Sequence, residues 1–469
     1  MTRRSQHRPV SIEHTHCLGR TRSGKSKGIL GWVLQAILNG VGVAVVDPHG
    51  DLFHDLLSYL AFASTKLRGL AERIVILNPL DPQWSVGFNP LQLWPGEVLE
   101  RKALFLADVI TEIFQDDPTI VVRMRRVMRN AFVALMELGL TLLELPRFLT
   151  DREFREMLLV HTSPRVRGFW LSEFPSNERD ADTWVASTLN RLEPLVDDPD
   201  FRLMFGQQDS TINLRAIMDE GKVLLVNTSR GELMDDNSRL LGAFVVAQIQ
   251  QAAMTRAEVP ASRRRLFFLA LDEFQTYSPA ISTLLEETGK YKLALLLAHQ
   301  HLGQLEDERL RAAVLSQCVN KVYFGLGEDD ARLLVGKVFQ PNLDQVKQVQ
   351  LKPLNWGNDE IVAYEDITWR PLAEILELEQ RKLDLEPRYF WHKRQGCEPR
   401  LYRTFSLPDL HTPPALIRKL VDQSGVRFAT PKSGARRLVE EERPKLLERL
   451  CSSLPGSTVD DEPPGFWGQ

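Results

Sequence analysis

Apolar residues fall along this chain in two alternating rhythms. Short apolar runs occupy residues 43–46, 74–77, 222–226, 266–271, 293–298 and 321–325, and a less apolar strand-like run, diluted by His16, occupies 15–18. Runs of this length read as buried strands. Between most of them apolar residues recur every three or four positions, the spacing of one helix face. Strands alternating with helices build a mostly parallel sheet covered on both faces. From about Leu91 to Asp200 the strand-like runs stop and the helical spacing persists. The expected fold class is therefore α/β, interrupted by an inserted all-α domain. Residues 1–90 and 201–385 form the two parts of the core, 91–200 the insertion, and 386–469 a peripheral C-terminal region. The tail over residues 455–469, rich in Pro, Gly and acid, reads as flexible.

From Gly28 to Val46 no residue is charged. This is nearly the length of a membrane-crossing helix. Gly28, Gly31, Gly40 and Gly42 interrupt it, and Asn39-Gly40 is a turn signal. The stretch reads instead as a helix to about Leu38, a turn and a buried strand. Residues 1–10 are basic but no apolar segment follows, which excludes a secretory signal.

Composition narrows the class. Among 469 residues, 58 Lys and Arg face 62 Asp and Glu, a net charge of −4. That excludes a disordered chain and a protein basic over its whole surface, but leaves room for a local basic track. Cys17, Cys318, Cys397 and Cys451 are widely spaced, with no zinc-type pattern, and read as reduced thiols.

Gly19-Arg20-Thr21-Arg22-Ser23-Gly24-Lys25-Ser26 matches G-x-x-x-x-G-K-[ST] between a strand and a helix. Backbone N–H groups of such a turn curl around phosphate oxygens, and the helix adds its positive end. All eight residues are nucleotide-binding candidates. Lys25 reaches the β/γ-phosphates of ATP, and the Ser26 hydroxyl sits on Mg²⁺. The strand 266–271 runs directly into Asp272-Glu273. Two acids at a buried strand tip are costly unless paired or metal-bound. Beside a phosphate loop they read as a Walker-B element. Asp272 orients Mg²⁺ and its water, and Glu273 polarises the attacking water. The plain alternative is a strand end reaching solvent. The next strand ends in Ala298-His299-Gln300, where Gln300 is either a γ-phosphate sensor or a structural amide. The catalytic candidates are Lys25, Glu273 and Gln300.

Arg123, Arg125, Arg126 and Arg129 occupy four of seven positions within the helical block. Arg123 and Arg126, and likewise Arg125 and Arg129, share a helix face. Such arginines track phosphates without reading sequence, and they are the DNA-binding candidates. The alternative is a solvated face paired with local acids. No helix-turn-helix, zinc-finger or RNP signature supports sequence-specific reading.

The phosphate loop, Asp47-Pro48-His49-Gly50-Asp51, Leu224–Gly231 with Asp236–Gly242, Leu271–Gln275 and Ala298–Leu305 follow one another in a characteristic order. In that order the chain resembles HerA/FtsK-type motor ATPases, most closely the TraG/TraD-type coupling ATPases of conjugative transfer and type IV secretion. The resemblance spans roughly residues 15–336. It implies a RecA-like (ASCE) P-loop core, a homohexameric ring and ATP-driven DNA translocation. It also implies a helical insertion near the DNA, and an arginine from the neighbouring subunit at each ATP site. Arg230 and Arg332 are the candidates for that arginine. Membrane-secretion or relaxosome proteins are the implied protein partners. Family loops commonly carry Gly where Arg22 stands, which puts turnover in question. Family members usually begin with membrane helices. A phosphate loop starting at Gly19 leaves no room for a transmembrane segment, so the expectation is a cytoplasmic protein recruited to the inner face of the membrane. Two alternatives stand beside the DNA motor: a secretion-assembly ATPase acting on protein, and a nucleotide-gated scaffold with weak hydrolysis.

Overall fold

In the computed structural model of the chain, residues 13–113, 118–339, 347–356, 360–369, 371–408 and 410–452 are described. The basic residues 1–10 and the tail at 455–469 lie outside them. The chain forms two compact units. The first comprises Met1–Ile76, Leu214–Met234 and Ile249–Val421, and the second Leu77–Asn213, Asp235–Gln248 and Asp422–Gln469.

The first unit is built on a nine-stranded sheet. Its strands are β1 (Thr15–Leu18), β2 (Gly42–Asp47) and β3 (Ile74–Leu77), then, after the two-residue β4 (Trp84–Ser85) of the second unit, β5 (Val223–Asn227) and β6 (Phe267–Leu271). β7 (Leu293–His299) and β8 (Asn320–Tyr323) follow. A separate antiparallel hairpin, β9 (Lys347–Trp356) and β10 (Glu360–Trp369), precedes β11 (Tyr389–Arg394) and β12 (Arg400–Arg403). The spatial order is β12-β11-β8-β1-β7-β6-β2-β5-β3. From β8 across to β5 neighbouring strands run parallel. Every residue of β1, β2, β5, β6 and β7 is buried, as expected for strands with both faces covered.

Seven of these strands lie within a residue or two of the sequence expectation, and helix Lys25–Leu38 ends where Asn39-Gly40 required. The region after 386 differs from the expected peripheral segment. β11 pairs antiparallel with β8, and β12 pairs with β11. Both strands are short and carry Lys393, Arg394, Arg400 and Arg403, so their apolar pattern is weak. On β12, the edge of the sheet, such charges resist further pairing.

The second unit is mainly helical. Helices Leu99–Ile113, Pro118–Glu137, Glu178–Asp197 and Pro199–Phe205, with shorter ones between, enclose Phe132, Phe148, Phe154, Phe201, Phe205 and Phe244. The unit exceeds the expected 91–200 span, because two distant segments join it. Phe244, from helix Asp235–Thr255, meets Phe205 edge-on at 5.9 Å. At the C-terminal side, Trp84 Nε1 donates to Asp422 Oδ1 at 2.9 Å and Lys432 Nζ to Asp200 Oδ1 at 2.6 Å. A Cβ on Gly425 would overlap the Trp84 ring, which explains a glycine inside helix Pro414–Phe428. Among the described residues no helix is long and apolar enough to cross a membrane.

Candidate nucleotide site

Strand β1 delivers the chain into the glycine-rich turn, and helix Lys25–Leu38 starts at its far end. The turn is shaped by two left-handed residues, Arg22 at φ 64° and Gly24 at φ 96°. A Cβ on Gly24 would stand 2.9 Å from the Arg388 backbone nitrogen, so both conformation and space call for glycine. Arg22 bears the left-handed conformation with a side chain, at a cost of about 1–2 kcal/mol. This is the residue for which the resemblance implied glycine. The turn takes a left-handed path at this residue, with the Arg22 side chain exposed. Arg20 N–H donates to Gly325 O at 3.1 Å and Ser23 N–H to Arg20 O at 3.2 Å. Ser26 is exposed at the start of the helix.

Lys25 is buried. Its Nζ donates to Glu273 Oε1 at 3.0 Å and lies 3.2 Å from Asp272 Oδ1. Burial alone would lower its pKa. The carboxylates of Asp272 and then Glu273 outweigh that, and the ammonium is held above its ordinary range.

Glu273 follows β6 with φ 47°, a left-handed conformation uncommon outside glycine. Four donors reach its carboxylate. Lys25 Nζ and Gln300 Nε2 donate to Oε1, each at 3.0 Å. Gln275 Nε2 at 2.7 Å and Gln304 Nε2 at 3.2 Å donate to Oε2. Burial pushes this pKa up, but Lys25 and the amides of Gln275 and Gln300 outweigh it and hold it below the usual carboxylate range. Gln300 also accepts from Thr21 Oγ1 at 2.8 Å, tying the tip of β7 to the phosphate loop. The structure thus gathers Thr21, Lys25, Asp272, Glu273 and Gln300 into one network.

Beneath this network His16 of β1 and His299 of β7 face each other, Nε2 to Nε2 at 2.7 Å. Burial, then the nearby Lys25 charge, pushes His299 down to about 3, so the imidazole is neutral. Among the described residues no group of three His, Cys, Asp or Glu forms a metal cluster.

Sequence reasoning passed over several residues here. Asp47, at the tip of β2, is buried and accepts from the N–H groups of His49 at 2.9 Å and Leu52 at 2.8 Å. Burial, and secondarily the Asp272 charge, raises its pKa to about 6. Gln304 and Arg388 were missed because their partners are set by tertiary contacts, and Gln275 because nothing in the sequence shows its amide turning back to Glu273. The one local signal was the repeated amide in Gln300-His301-Leu302-Gly303-Gln304.

Of the two arginine-finger candidates, Arg230 donates within its own chain to Thr276 Oγ1 at 2.8 Å, just past Glu273. Arg332 is exposed on helix Glu328–Val338 and pairs with Glu328 at 3.1 Å. Neither joins the Lys25 network among the described residues.

In the second unit Arg123, Arg125, Arg126 and Arg129 lie on helix Pro118–Glu137. Arg125 pairs with Asp108, its NH2 donating at 2.9 Å, and Arg126 pairs with Glu173. Arg123 lies over the Trp184 ring at 5.5 Å. Among the described residues Arg123 and Arg129 have no carboxylate partner. Two of the four charges are therefore neutralised locally.

Comparison with known proteins follows the same line. The family model for the type IV secretion-system coupling protein DNA-binding domain matches residues 7–333, more than half of the chain. Among solved structures, the plasmid coupling protein TrwB with the non-hydrolysable ATP analogue ADPNP is 16% identical with a TM-score of 0.58. TrwB with ADP and Mg²⁺ is 16% identical, and the unbound monoclinic form of TrwBdeltaN70 is 15% identical, each with a TM-score of 0.54. In all three, 86% of this chain and 88% of the other are covered. At these identities the likeness establishes the fold, a RecA-like core on a mostly parallel sheet. Comparison with curated proteins finds no match. The chain belongs to the family of type IV secretion-system coupling proteins, matching its DNA-binding domain.

Proposed function

We propose that this chain is an ATP-hydrolysing motor that binds DNA without sequence preference and moves it, assembled as a homohexamer beside a membrane secretion apparatus. The observation that carries the reading is the buried constellation of Lys25, Asp272, Glu273 and Gln300 against a glycine-turned phosphate loop. Family membership and the TrwB complexes with nucleotide support it.

The residues present suit Mg²⁺ and a nucleoside triphosphate. Among the described residues the buried Ser23 Oγ has no hydrogen-bond partner, and Gly24 leaves the loop no side chain at its tightest point. Ser26 and Asp272 supply the hard oxygen donors that Mg²⁺ prefers. When bound, the ion neutralises charge on the β- and γ-phosphate oxygens.

The chain's own groups do the rest. Lys25 exchanges its two carboxylate partners for phosphate oxygens and Gln300 Nε2 turns to the γ-phosphate, which together leave Glu273 Oε1 free to receive a proton. Water oxygen bonds to the γ-phosphorus as its proton passes to Glu273. The bond to the β–γ bridging oxygen breaks, and ADP leaves with the electron pair. Gln300, tied both to Thr21 and to Glu273, reports the phosphate to the base. The pairing of Arg125 and Arg126 with local acids favours one second reading, a secretion-assembly ATPase acting on protein. ATPase assays separate the two. The motor reading expects stimulation by DNA and its loss in Lys25→Ala and Glu273→Gln. Turnover indifferent to DNA but raised by a secretion protein supports the second reading.

A further inference from the structure

Both oxygens of Glu273 are doubly occupied, and the two pairs of donors differ in kind. A carboxylate offers about four acceptor sites. Water therefore finds no place on this carboxylate until a donor leaves. The donors on Oε1, Lys25 and Gln300, are those that turn toward phosphate in the proposed reaction. The donors on Oε2 come from elsewhere: Gln275 lies two residues on in the chain, and Gln304 ends the short turn Leu302–Gln304 after β7. The Gln304 amide is itself fixed. Its Oε1 accepts from Gln300 N–H at 2.9 Å and His301 N–H at 3.1 Å, which aims its Nε2 at Glu273. At φ 47° the Glu273 backbone has left regular strand geometry, so the direction of its side chain depends on such external holds.

We propose that Glu273 works with one oxygen and is anchored by the other. Oε1 is released to water when Lys25 and Gln300 engage phosphate, while Gln304, aided by Gln275, keeps Oε2 in place as a positioning residue. The proposal rests on Glu273 being the general base. Because the amide that aims Gln304 is bonded to the Gln300 backbone, any displacement at the β7 tip is transmitted directly to the base. Losing the Oε2 donors costs orientation in the transition state and removes stabilisation of the charged carboxylate.

Two variants test this in the whole 469-residue chain, with DNA and over a range of ATP concentrations up to saturation. Gln304→Glu keeps an acceptor for the Gln300 and His301 N–H groups but loses the donor to Glu273. Gln304→Met keeps the length and loses both. A hydrogen bond to a charged group is worth enough for kcat to fall about tenfold in each. KM for ATP stays within about threefold, since the lost interaction serves the transition state. The acid limb of the kcat–pH profile moves to higher pH, further in Gln304→Glu, where a like charge faces Glu273. Gln275→Met gives the same readout from the other donor if the Gln304 variants do not fold. Wild-type kcat with an unmoved acid limb overturns the proposal, as does a fall in rate carried by KM alone. Glu273→Gln in the same assay keeps the two levels apart. If it stays active, the general-base reading fails. If it is inactive while the Gln304 and Gln275 variants behave as wild type, only the anchoring fails.

Discussion

Replacing Lys25 by methionine should weaken the folded protein even when no nucleotide is present. Lys25, Asp272 and Glu273 have side chains only 8%, 4% and 6% exposed, and the ammonium is 3.2 and 3.0 Å from the two carboxylates. With an effective dielectric of about 20, each contact is attractive by roughly 5 kcal/mol, most of it offset by desolvation. Removing the cation leaves two adjacent buried anions with no counter-charge, and breaking a buried pair in this way costs about 3–5 kcal/mol. Glu273→Gln alone leaves Lys25 paired with Asp272 and should cost about 1 kcal/mol or less. The double variant Lys25→Met/Glu273→Gln should be more stable than Lys25→Met, by about 1–2 kcal/mol. The sign with pH is also fixed. In the wild type Glu273 is held below its ordinary 4.5, so its contribution is present above that pH and lost as pH falls through the folded value. In Lys25→Met the largest part of the hold is gone and the burial penalty falls on the ionised form, so the gap to wild type is widest near pH 8 and narrows on acidification. Urea unfolding of the four proteins at several pH values measures all of this. Equal stability of Lys25→Met and wild type at pH 8, or a gap that widens in acid, refutes the reasoning.

Other expectations follow from single residues. Arg22→Gly relieves a left-handed side-chain residue and should stabilise the protein by about 1 kcal/mol in urea unfolding. Turnover should change less than about threefold, which would remove the weak-hydrolysis scaffold; a large gain would support it. Gly24→Ala imposes strain at φ 96° and a contact with the Arg388 nitrogen, and should weaken ATP-analogue binding in calorimetry by about 2 kcal/mol. His299, neutral with a pKa pushed down to about 3 from 6.5, makes stability fall as pH drops below 6.5, by at most about 5 kcal/mol. His299→Gln should flatten that slope in thermal melts. Arg123→Ala and Arg129→Ala should each lower the salt dependence of DNA affinity by about one phosphate contact. Arg125→Ala and Arg126→Ala should lower it less, because Asp108 and Glu173 already neutralise those charges.

The parts of this fold written in local sequence were legible. The apolar runs at β2, β6 and β7, the Asn39-Gly40 turn, the phosphate loop and the acids after β6 each depend on neighbours along the chain. What escaped depends on distant contacts. Gln304 matters through Glu273, thirty-one residues away in sequence. Arg388 closes on the loop at Ser23 O with a 2.8 Å backbone bond that no motif marks. Strand β12 looks too polar alone because it forms the sheet edge, and β11 is the strand next to it. Gly425 looks like a helix flaw until Trp84 is placed against it. Arg125 and Arg126 read as a nucleic-acid track by spacing, yet they meet acids from positions 108 and 173.

The central claim is ATP-driven movement on DNA, and displacement of streptavidin from end-biotinylated DNA tests it most directly. The account expects displacement that requires ATP hydrolysis and is absent with Glu273→Gln or a non-hydrolysable analogue. Displacement that proceeds equally without ATP would contradict it, as would DNA-stimulated hydrolysis with no displacement from any single- or double-stranded end.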